Sequence, residues 1–164
     1  NYFEYKGFDL SIFFQFSGGN KIYNGTKATV SDMRYWSNSK EVLGNYWTPE
    51  RKDAMYALPV YGDNYSNGSA MALSDWVEKG DYLRLKNISL GYTFNTKKWA
   101  KAIGISKLRV YAQAQNLFVI TGYSGMDPEV MSNTKGQAVV LSPGVDKNTL
   151  PQARTYTFGV NLSF

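Results

Sequence analysis

The segment from residue 18 to residue 82 is rich in tyrosine and tryptophan, interspersed with many Asn, Ser and Gly residues. Aromatic rings with amide and hydroxyl neighbours suit stacking on sugar rings and hydrogen bonding to sugar hydroxyl groups. Alternatively, a segment of this length needs a small core of its own and a partner protein to pack against. We therefore expect contact with a ligand or a partner at five aromatic positions, namely Tyr35, Trp36, Tyr46, Trp47 and Trp76.

Carboxylates near turns are candidates for calcium binding. In "SGMDPEV", Asp127 and Glu129 flank a proline, and "DNYSNG" contains Asp63 and Asn67. The second stretch lacks the acidic residue that an EF-hand has at its twelfth position, where Ser74 stands. A turn capped by an Asp side chain is the more frequent role for both stretches, so we expect no metal site.

Catalytic chemistry finds little support in the sequence. Asp75, Glu78 and Asp81 would be the candidates for a glycosidase pair, but no pattern fixes the separation of their carboxyl groups. The chain contains no His and no Cys. Their absence removes Ser-His-Asp and Cys-His catalysis, zinc sites built on those residues, iron–sulfur clusters and disulfides. We expect a protein that is not an enzyme and that binds no cofactor.

The net charge is +5 at pH 7, from 18 basic and 13 acidic residues. Basic residues are dense only in the stretch "KKWAK", which contains Lys97, Lys98 and Lys101 and is followed by Lys107. Binding of a phosphate backbone needs a basic face rather than one short connection. The charge pattern therefore argues against nucleic acid as a partner.

The elements that would position these residues show an alternation of apolar and polar side chains with the period of two that is typical of β-strands. In "FDLSIFFQFSG", one face carries Phe8, Leu10, Ile12, Phe14 and Phe16. In "RTYTFGVNLSF", one face carries Tyr156, Phe158, Val160, Leu162 and Phe164. We predict strands at 8–17, 83–94, 107–119 and 153–164, preceded by a strand at 1–5 that ends in a hairpin turn at Lys6 and Gly7.

The apolar residues change phase within "LRLKNISLGYTF". Leu85 occupies one phase of the alternation, whereas Ile88 and Leu90 occupy the other. The change falls at Lys86 and Asn87. We predict either a β-bulge at this point or a strand that leaves the bilayer there.

The strand lengths and the composition favour a membrane sheet. The lengths of the four predicted long strands match the ~9 to 11 residues of a tilted transmembrane strand better than the ~5 to 6 of a soluble one. Aromatic residues make up 16% of the chain and charged residues only 19%, against ~25% charged in soluble domains. Mean hydropathy is nonetheless −0.37, and no stretch approaches the ~18 consecutive apolar residues of a membrane helix. An alternating transmembrane β-strand satisfies all of these observations.

The predicted connections alternate between short and long. Short connections lie at 6–7 and 95–106, and long ones at 18–82 and 120–152. Outer-membrane barrels have short periplasmic turns and long extracellular loops. We therefore predict that 18–82 and 120–152 are extracellular loops, and that 95–106 and the C-terminus are periplasmic.

Four full strands cannot close a barrel, because the smallest membrane barrels have about eight and open sheet edges are not tolerated in lipid. Either several copies assemble one barrel, or the chain is part of a longer polypeptide. The first residue is Asn rather than Met, and a strand is predicted to begin there. Both features favour the longer polypeptide.

Five blocks occur along the chain in this order: "YKGFDLSIFFQFSGGNKIYN", "YWTPE", "GDYLRLKNISLGYTF", "LRVYAQAQNLFVITGYSGMDPEV" and "PQARTYTFGVNLSF". Their identity and order resemble the C-terminal part of SusC/RagA-like TonB-dependent outer-membrane transporters. The resemblance runs from about residue 5 to residue 164. We accordingly interpret 1–164 as one C-terminal segment of such a barrel.

This resemblance implies an all-β fold, in which the chain supplies about four C-terminal antiparallel strands of a barrel of about 22 strands, filled by an N-terminal plug. It also implies a bacterial outer-membrane location and nutrient import energised through TonB. The implied partner is a SusD-like surface lipoprotein that captures glycans or peptides. The plug and its TonB-contacting segment are not among these residues. Phe164 resembles the terminal aromatic residue of outer-membrane barrels, which the assembly machinery reads.

The leading hypothesis is therefore a segment of a TonB-dependent importer that supplies barrel wall and extracellular loops. A second hypothesis is an oligomeric outer-membrane β-barrel anchor, in which three chains each give four strands. A third is a soluble carbohydrate-binding β-sandwich, which would leave the membrane fraction without detergent.

Overall fold

The computed structural model describes residues 1–33, 38–60, 73–95, 104–130 and 144–164. The elements in chain order are β1 (Tyr2–Tyr5), β2 (Phe8–Ser17), β3 (Lys21–Asn24), α1 (Gly25–Val30), a 3-10 helix (Ser74–Trp76), β4 (Val77–Lys79), β5 (Tyr82–Phe94), β6 (Lys107–Thr121), β7 (Val145–Asp146) and β8 (Thr155–Ser163). They divide into two compact units. We call Asn1–Ser17, Tyr82–Thr121 and Gln152–Phe164 the strand unit, and Gly18–Asp81 with Gly122–Pro151 the loop unit.

The strand unit is one antiparallel sheet with the strand order β1-β2-β5-β6-β8. The four long strands and the short first strand predicted from alternation are all present. β5 begins one residue earlier than predicted, β6 extends to Thr121, and β8 begins at Thr155. The hairpin between β1 and β2 turns at Lys6 and Gly7, which have φ values of 48° and 89°. Two successive positive φ values are the mark of a tight type I′ turn. The fold of the described residues is therefore all-β, as predicted.

One face of this sheet is apolar from strand to strand. The register aligns Leu10 with Leu90, Leu90 with Ala112, and Ala112 with Phe158. Neighbouring rows have the same character: Phe8, Tyr92, Val110 and Val160 form one, and Ile12, Ile88, Ala114 and Tyr156 form another. Val160 is 61% exposed, and most of the large side chains on this face are exposed as well. The apolar face predicted from the alternation is therefore continuous across β2, β5, β6 and β8.

The opposite face is polar and carries an ion pair. The guanidinium of Arg109 donates from Nε to Asp9 Oδ1 over 2.8 Å and from Nη2 to Asp9 Oδ2. The same guanidinium lies 4.9 Å from the ring centroid of Tyr111. Gly91 stands between these groups, and a Cβ there would lie only 2.5 Å from both members of the pair. The missing side chain makes room for the ion pair.

The phase change in β5 is a β-bulge, as predicted. Phe13 pairs with Asn87, whereas the next residue, Phe14, pairs with Leu85. Lys86 is therefore an extra residue on β5. Because it reverses the alternation, it places Leu85 on the apolar face beside Phe14.

The irregularity continues into β6. There Gln115 pairs with Asn87 and Phe118 with Leu85, so two residues on β6 stand opposite one on β5. Asn116, the first of the two, has a φ of 51°, a left-handed conformation that Asn tolerates better than most residues. Its side-chain amide donates to Ala153 O over 3.1 Å.

The loop unit has a small sheet of its own, with the order β4-β3-β7, in which β3 and β7 run parallel. Asn24 ends β3 and caps α1, because its side-chain oxygen accepts from the backbone N–H of Lys27 over 2.8 Å. Two apolar clusters lie in this unit: one consists of Ala28, Val42, Tyr56 and Trp76, and the other of Ile22, Tyr123 and Val130. Among the described residues, no helix is long and apolar enough to cross a membrane.

Candidate functional site

The carboxylate of Glu78 joins three segments of the loop unit. It accepts from the backbone N–H of Ser124 over 2.8 Å and from the Ser124 hydroxyl over 2.7 Å. The ammonium of Lys27 and the amide of Asn24 each donate to it over 3.3 Å. Asn24 also donates to the Ser124 hydroxyl over 3.2 Å. Residues up to 100 positions apart in sequence are thus tied to one acidic group.

A buried carboxylate, that of Asp146, accepts further hydrogen bonds within the loop unit. It accepts from the hydroxyl of Tyr123 over 2.6 Å, from the backbone N–H of Thr149 over 3.1 Å and from the hydroxyl of Thr26 over 3.4 Å. Burial raises the pKa of the Tyr123 hydroxyl, and the adjacent Asp146 carboxylate raises that pKa further. Tyr123 therefore stays neutral and donates its proton to Asp146 throughout the physiological pH range.

The Glu78 network makes the loop unit sensitive to acid. Burial alone would raise the pKa of Glu78, but the Ser124 hydrogen bonds and the Lys27 ammonium outweigh it, so this pKa lies below its ordinary value of 4.5. A pKa that is lower in the folded state adds stability above the unfolded value and loses it as the pH falls through the folded value. We expect the loop unit to become more susceptible to pepsin as the pH falls below about 4.5. Glu78→Gln should flatten this dependence, and an unchanged acid profile in that variant would contradict the assignment.

A cleft of about 400 Å³ opens beside this network, entirely within the loop unit. Its polar lining comes from α1, from the segment around residue 40 and from the segments that contain Ser124 and Asp146. Its charged members are Lys27, Glu41 and Asp146, and Val30, Met126 and Leu150 supply apolar surface. Among the residues that the structure describes, no aromatic side chain lines the cleft. The arrangement can hold a polar ligand that carries both a charged group and an aliphatic one.

The aromatic residues predicted to contact a ligand or partner fall into different environments. Trp76 is 3% exposed and stacks on Tyr56 in the first apolar cluster, with ring centroids 6.4 Å apart. Tyr46 is half-buried and packs against the same cluster. Trp47 is 42% exposed. Tyr35 and Trp36 lie outside the described residues. The small core considered as the alternative is therefore present, and among the described candidates Trp47 has the most surface available for contact.

Several of the carboxylates considered for calcium and for hydrolysis have other roles. Asp127 is buried and accepts from the backbone N–H of Glu129 over 2.9 Å, which makes it the cap of a turn. Asp81 accepts from the backbone N–H of Gly19 over 2.7 Å. Asp63 and Asn67 lie outside the described residues. In the part of the chain that the structure describes, no three potential metal ligands come together.

The groups that build the cleft were not predicted from the sequence. Lys27, Ser124 and Asp146 occur in unremarkable local patterns, and Thr26 bonds to Asp146 across 120 positions. Local periodicity contains no signal for contacts of that range. The only local indication was Asn24 before a short helix, since Asn is a favoured N-cap residue.

No protein-family model matches the chain. Segments of longer proteins do match it. TonB-dependent receptor P3 from Formosa agariphila is 33% identical over 165 residues, a match that covers 100% of this chain and 16% of the receptor. TonB-dependent receptor SusC from Bacteroides thetaiotaomicron is 33% identical, with 98% of this chain and 14% of the receptor covered. The chain thus spans about one sixth of the length of these curated relatives.

Solved structures give the same correspondence. The structure of the RagAB peptide transporter matches with a TM-score of 0.74 and 28% identity. The match covers 98% of this chain and 16% of the transporter chain. The RagAB peptide importer in its 'closed-closed' state matches with a TM-score of 0.72 and 27% identity. Both the sequence and the fold of nearly the whole chain are therefore similar to one segment of much longer proteins.

Proposed function

The chain belongs to the SusC-like TonB-dependent receptors, and from this premise we propose that it forms barrel wall and surface loops of an outer-membrane nutrient importer. The observation that carries the proposal is the two-faced antiparallel sheet of the strand unit. Its exposed apolar rows suit lipid, whereas the polar face, with the pair of Asp9 and Arg109, suits a water-filled or protein-filled lumen. A soluble protein would have to cover the apolar face with a second packed layer.

The proposed partners follow from the same premise. A SusD-like surface lipoprotein would capture a glycan or a peptide and pass it to the receptor. TonB would supply energy through a plug region that lies outside this chain. Phe164, exposed just after β8, would serve as the residue that the barrel-assembly machinery reads.

The test of this function is uptake by cells. We expect bacteria that lack the receptor to lose TonB-dependent uptake of a peptide or an oligosaccharide, and a plasmid copy to restore it. Uptake that does not depend on the receptor would overturn the proposal. The mass of the natural protein discriminates further, because an oligomeric anchor would have about the 18.5 kDa of this chain, whereas an importer would be several times larger.

The proposed topology places 18–82 and 120–152 outside the cell, and 95–106 and the C-terminus in the periplasm. It is supported by the strand directions, because successive antiparallel strands place consecutive connections at alternate ends of the sheet. We expect an epitope tag beside Asn67 to be stained by antibody on intact cells. A tag beside Lys98 should be stained only after the outer membrane is permeabilised. The reverse pattern would invert the topology.

A further inference from the structure

A groove follows β6 on the apolar face of the strand unit. Its volume is about 600 Å³, within the ~300 to 1,000 Å³ of ligand clefts. Ala112 forms its floor, because the register sets this small residue between Leu90 on β5 and Phe158 on β8. The two larger side chains are 51% and 81% exposed. The groove is therefore an open apolar depression between two rows of larger side chains.

Aromatic side chains form the end of the groove that is nearest the short turns. The ring of Tyr92 lies 4.5 Å from that of Phe8 and 4.8 Å from that of Phe94, measured between centroids. Phe8 and Tyr92 both line the groove, and Phe8 begins β2 directly after the turn at Lys6 and Gly7. An extended apolar ligand along β6 would thus have one end at these rings and the other toward the long connections.

Two basic residues lie at the opposite end of the same sheet. Arg154 is exposed just before β8, and the alternation that places Tyr156 on the apolar face also places Arg154 there. Lys86, the extra residue of the bulge, donates from Nζ to Gln152 Oε1 over 2.9 Å. Its ammonium therefore lies beside the segment that carries Arg154. The strands β5, β6 and β8 contain no Asp or Glu, so this end of the apolar face is cationic.

The distance between the two ends of β8 suits a membrane. Arg154 lies ten positions before Phe164, which at about 3.3 Å per residue and a tilt of about 40° spans about 25 Å along the membrane normal. The apolar band of outer-membrane barrels is also about 25 Å high. Arg154 thus lies at the level of the lipid head groups when Phe164 lies at the other boundary. Phe158 in the groove is then about 10 Å deeper, among the acyl chains.

We propose that the groove and the two basic residues form a binding site for one anionic lipid. Its phosphate would contact Arg154 and Lys86, and one acyl chain would lie over Ala112. A guanidinium forms charge-assisted hydrogen bonds with phosphate oxygens, and basic residues at a membrane surface attract anionic lipids. The inference rests on the proposed function, because it requires the apolar face to lie in a membrane.

The head-group contact is tested by native mass spectrometry of the delipidated full-length receptor, with dioleoylphosphatidylglycerol and dioleoylphosphatidylcholine as probes. We expect the anionic phosphatidylglycerol to bind more tightly. Arg154→Gln and Lys86→Gln should each reduce this preference roughly fivefold, whereas Arg154→Lys should keep most of it because the charge remains. Lys6→Gln removes the same charge from an exposed residue at the turn end of the sheet and should leave the preference unchanged.

The acyl-chain contact is tested with Ala112→Phe. The added ring would occupy the space between Leu90 and Phe158, so both lipids should bind more weakly. Ile12→Phe lies on the same face outside the lining and should weaken neither lipid. The gel mobility of the folded barrel shows whether each variant has folded.

Equal binding of the two lipids would overturn the site, as would a preference that survives Arg154→Gln or that Lys6→Gln lowers equally. Unchanged lipid binding in folded Ala112→Phe would also overturn it. A receptor dimer that Ala112→Phe converts to a monomer would assign the groove to a second copy instead. The uptake experiment separates this inference from the proposed function, because a receptor that supports TonB-dependent uptake without a lipid preference keeps its function and loses the lipid site.

Discussion

Replacing Val160 with arginine is expected to destabilise the membrane-inserted receptor by about 2 to 4 kcal/mol. Val160 lies in the middle of β8 on the apolar face, directly opposite Val110, and is 61% exposed. In the proposed barrel this exposed surface contacts lipid. A guanidinium near the bilayer midplane then loses its hydration without gaining a partner.

The matched control is an arginine on the other face of the same strand. Asn161 is the nearest candidate but stands opposite Arg109, so a second arginine there would add repulsion. Thr157 stands opposite Gln113 instead, and Thr157→Arg should cost little. Both variants are titrated with denaturant in vesicles. The folded fraction is measured at each concentration from the difference in gel mobility between the folded and the unfolded barrel. Equal losses for the two variants would contradict the assignment of the faces.

Trp76→Ala should destabilise the loop unit by about 3 to 5 kcal/mol, the usual cost of removing a buried aromatic side chain. Trp76 is 3% exposed and packs with Tyr56, Val42 and Ala28. The cluster is small, so few neighbouring side chains can move in to fill the cavity. The expected result is loss of amide protection against hydrogen exchange in the loop unit of the full-length receptor, with the strand unit much less affected.

Trp47→Ala is the control for this prediction. Trp47 is 42% exposed, so its removal should change protection in the loop unit by less than about 1 kcal/mol. If Trp47 contacts a ligand or the lipoprotein, the same variant should weaken that binding instead. Unchanged protection in Trp76→Ala would show that the cluster does not hold the loop unit together.

The strand unit could be predicted because its information is local. Alternation over ten residues identifies β2 and β8, and the phase reversal between Leu85 and Ile88 identifies the bulge at Lys86. The irregularity at Asn116 could not be predicted, because the apolar and polar residues of β6 continue to alternate through it. The extra residue becomes apparent only when β6 is aligned with its partner β5.

The loop unit could not be predicted in the same way. Its short strands have two to four residues each, too few for a periodic pattern to appear. A tryptophan at position 76 and one at position 47 also look equivalent in sequence. What distinguishes Trp76 is its packing against Ala28 and Val42, which lie far from it along the chain.

The Glu78 and Asp146 contacts link the segment before Asp81 to the segment after Gly122, and β3 pairs directly with β7. The contacts of Glu78 with Ser124 and of Asp146 with Thr26 each have one partner in either segment. A chimaera that takes one segment from a relative therefore separates Glu78 from Ser124 and Asp146 from Thr26. We therefore expect the two segments of the loop unit to evolve together, although two separate stretches of the gene encode them.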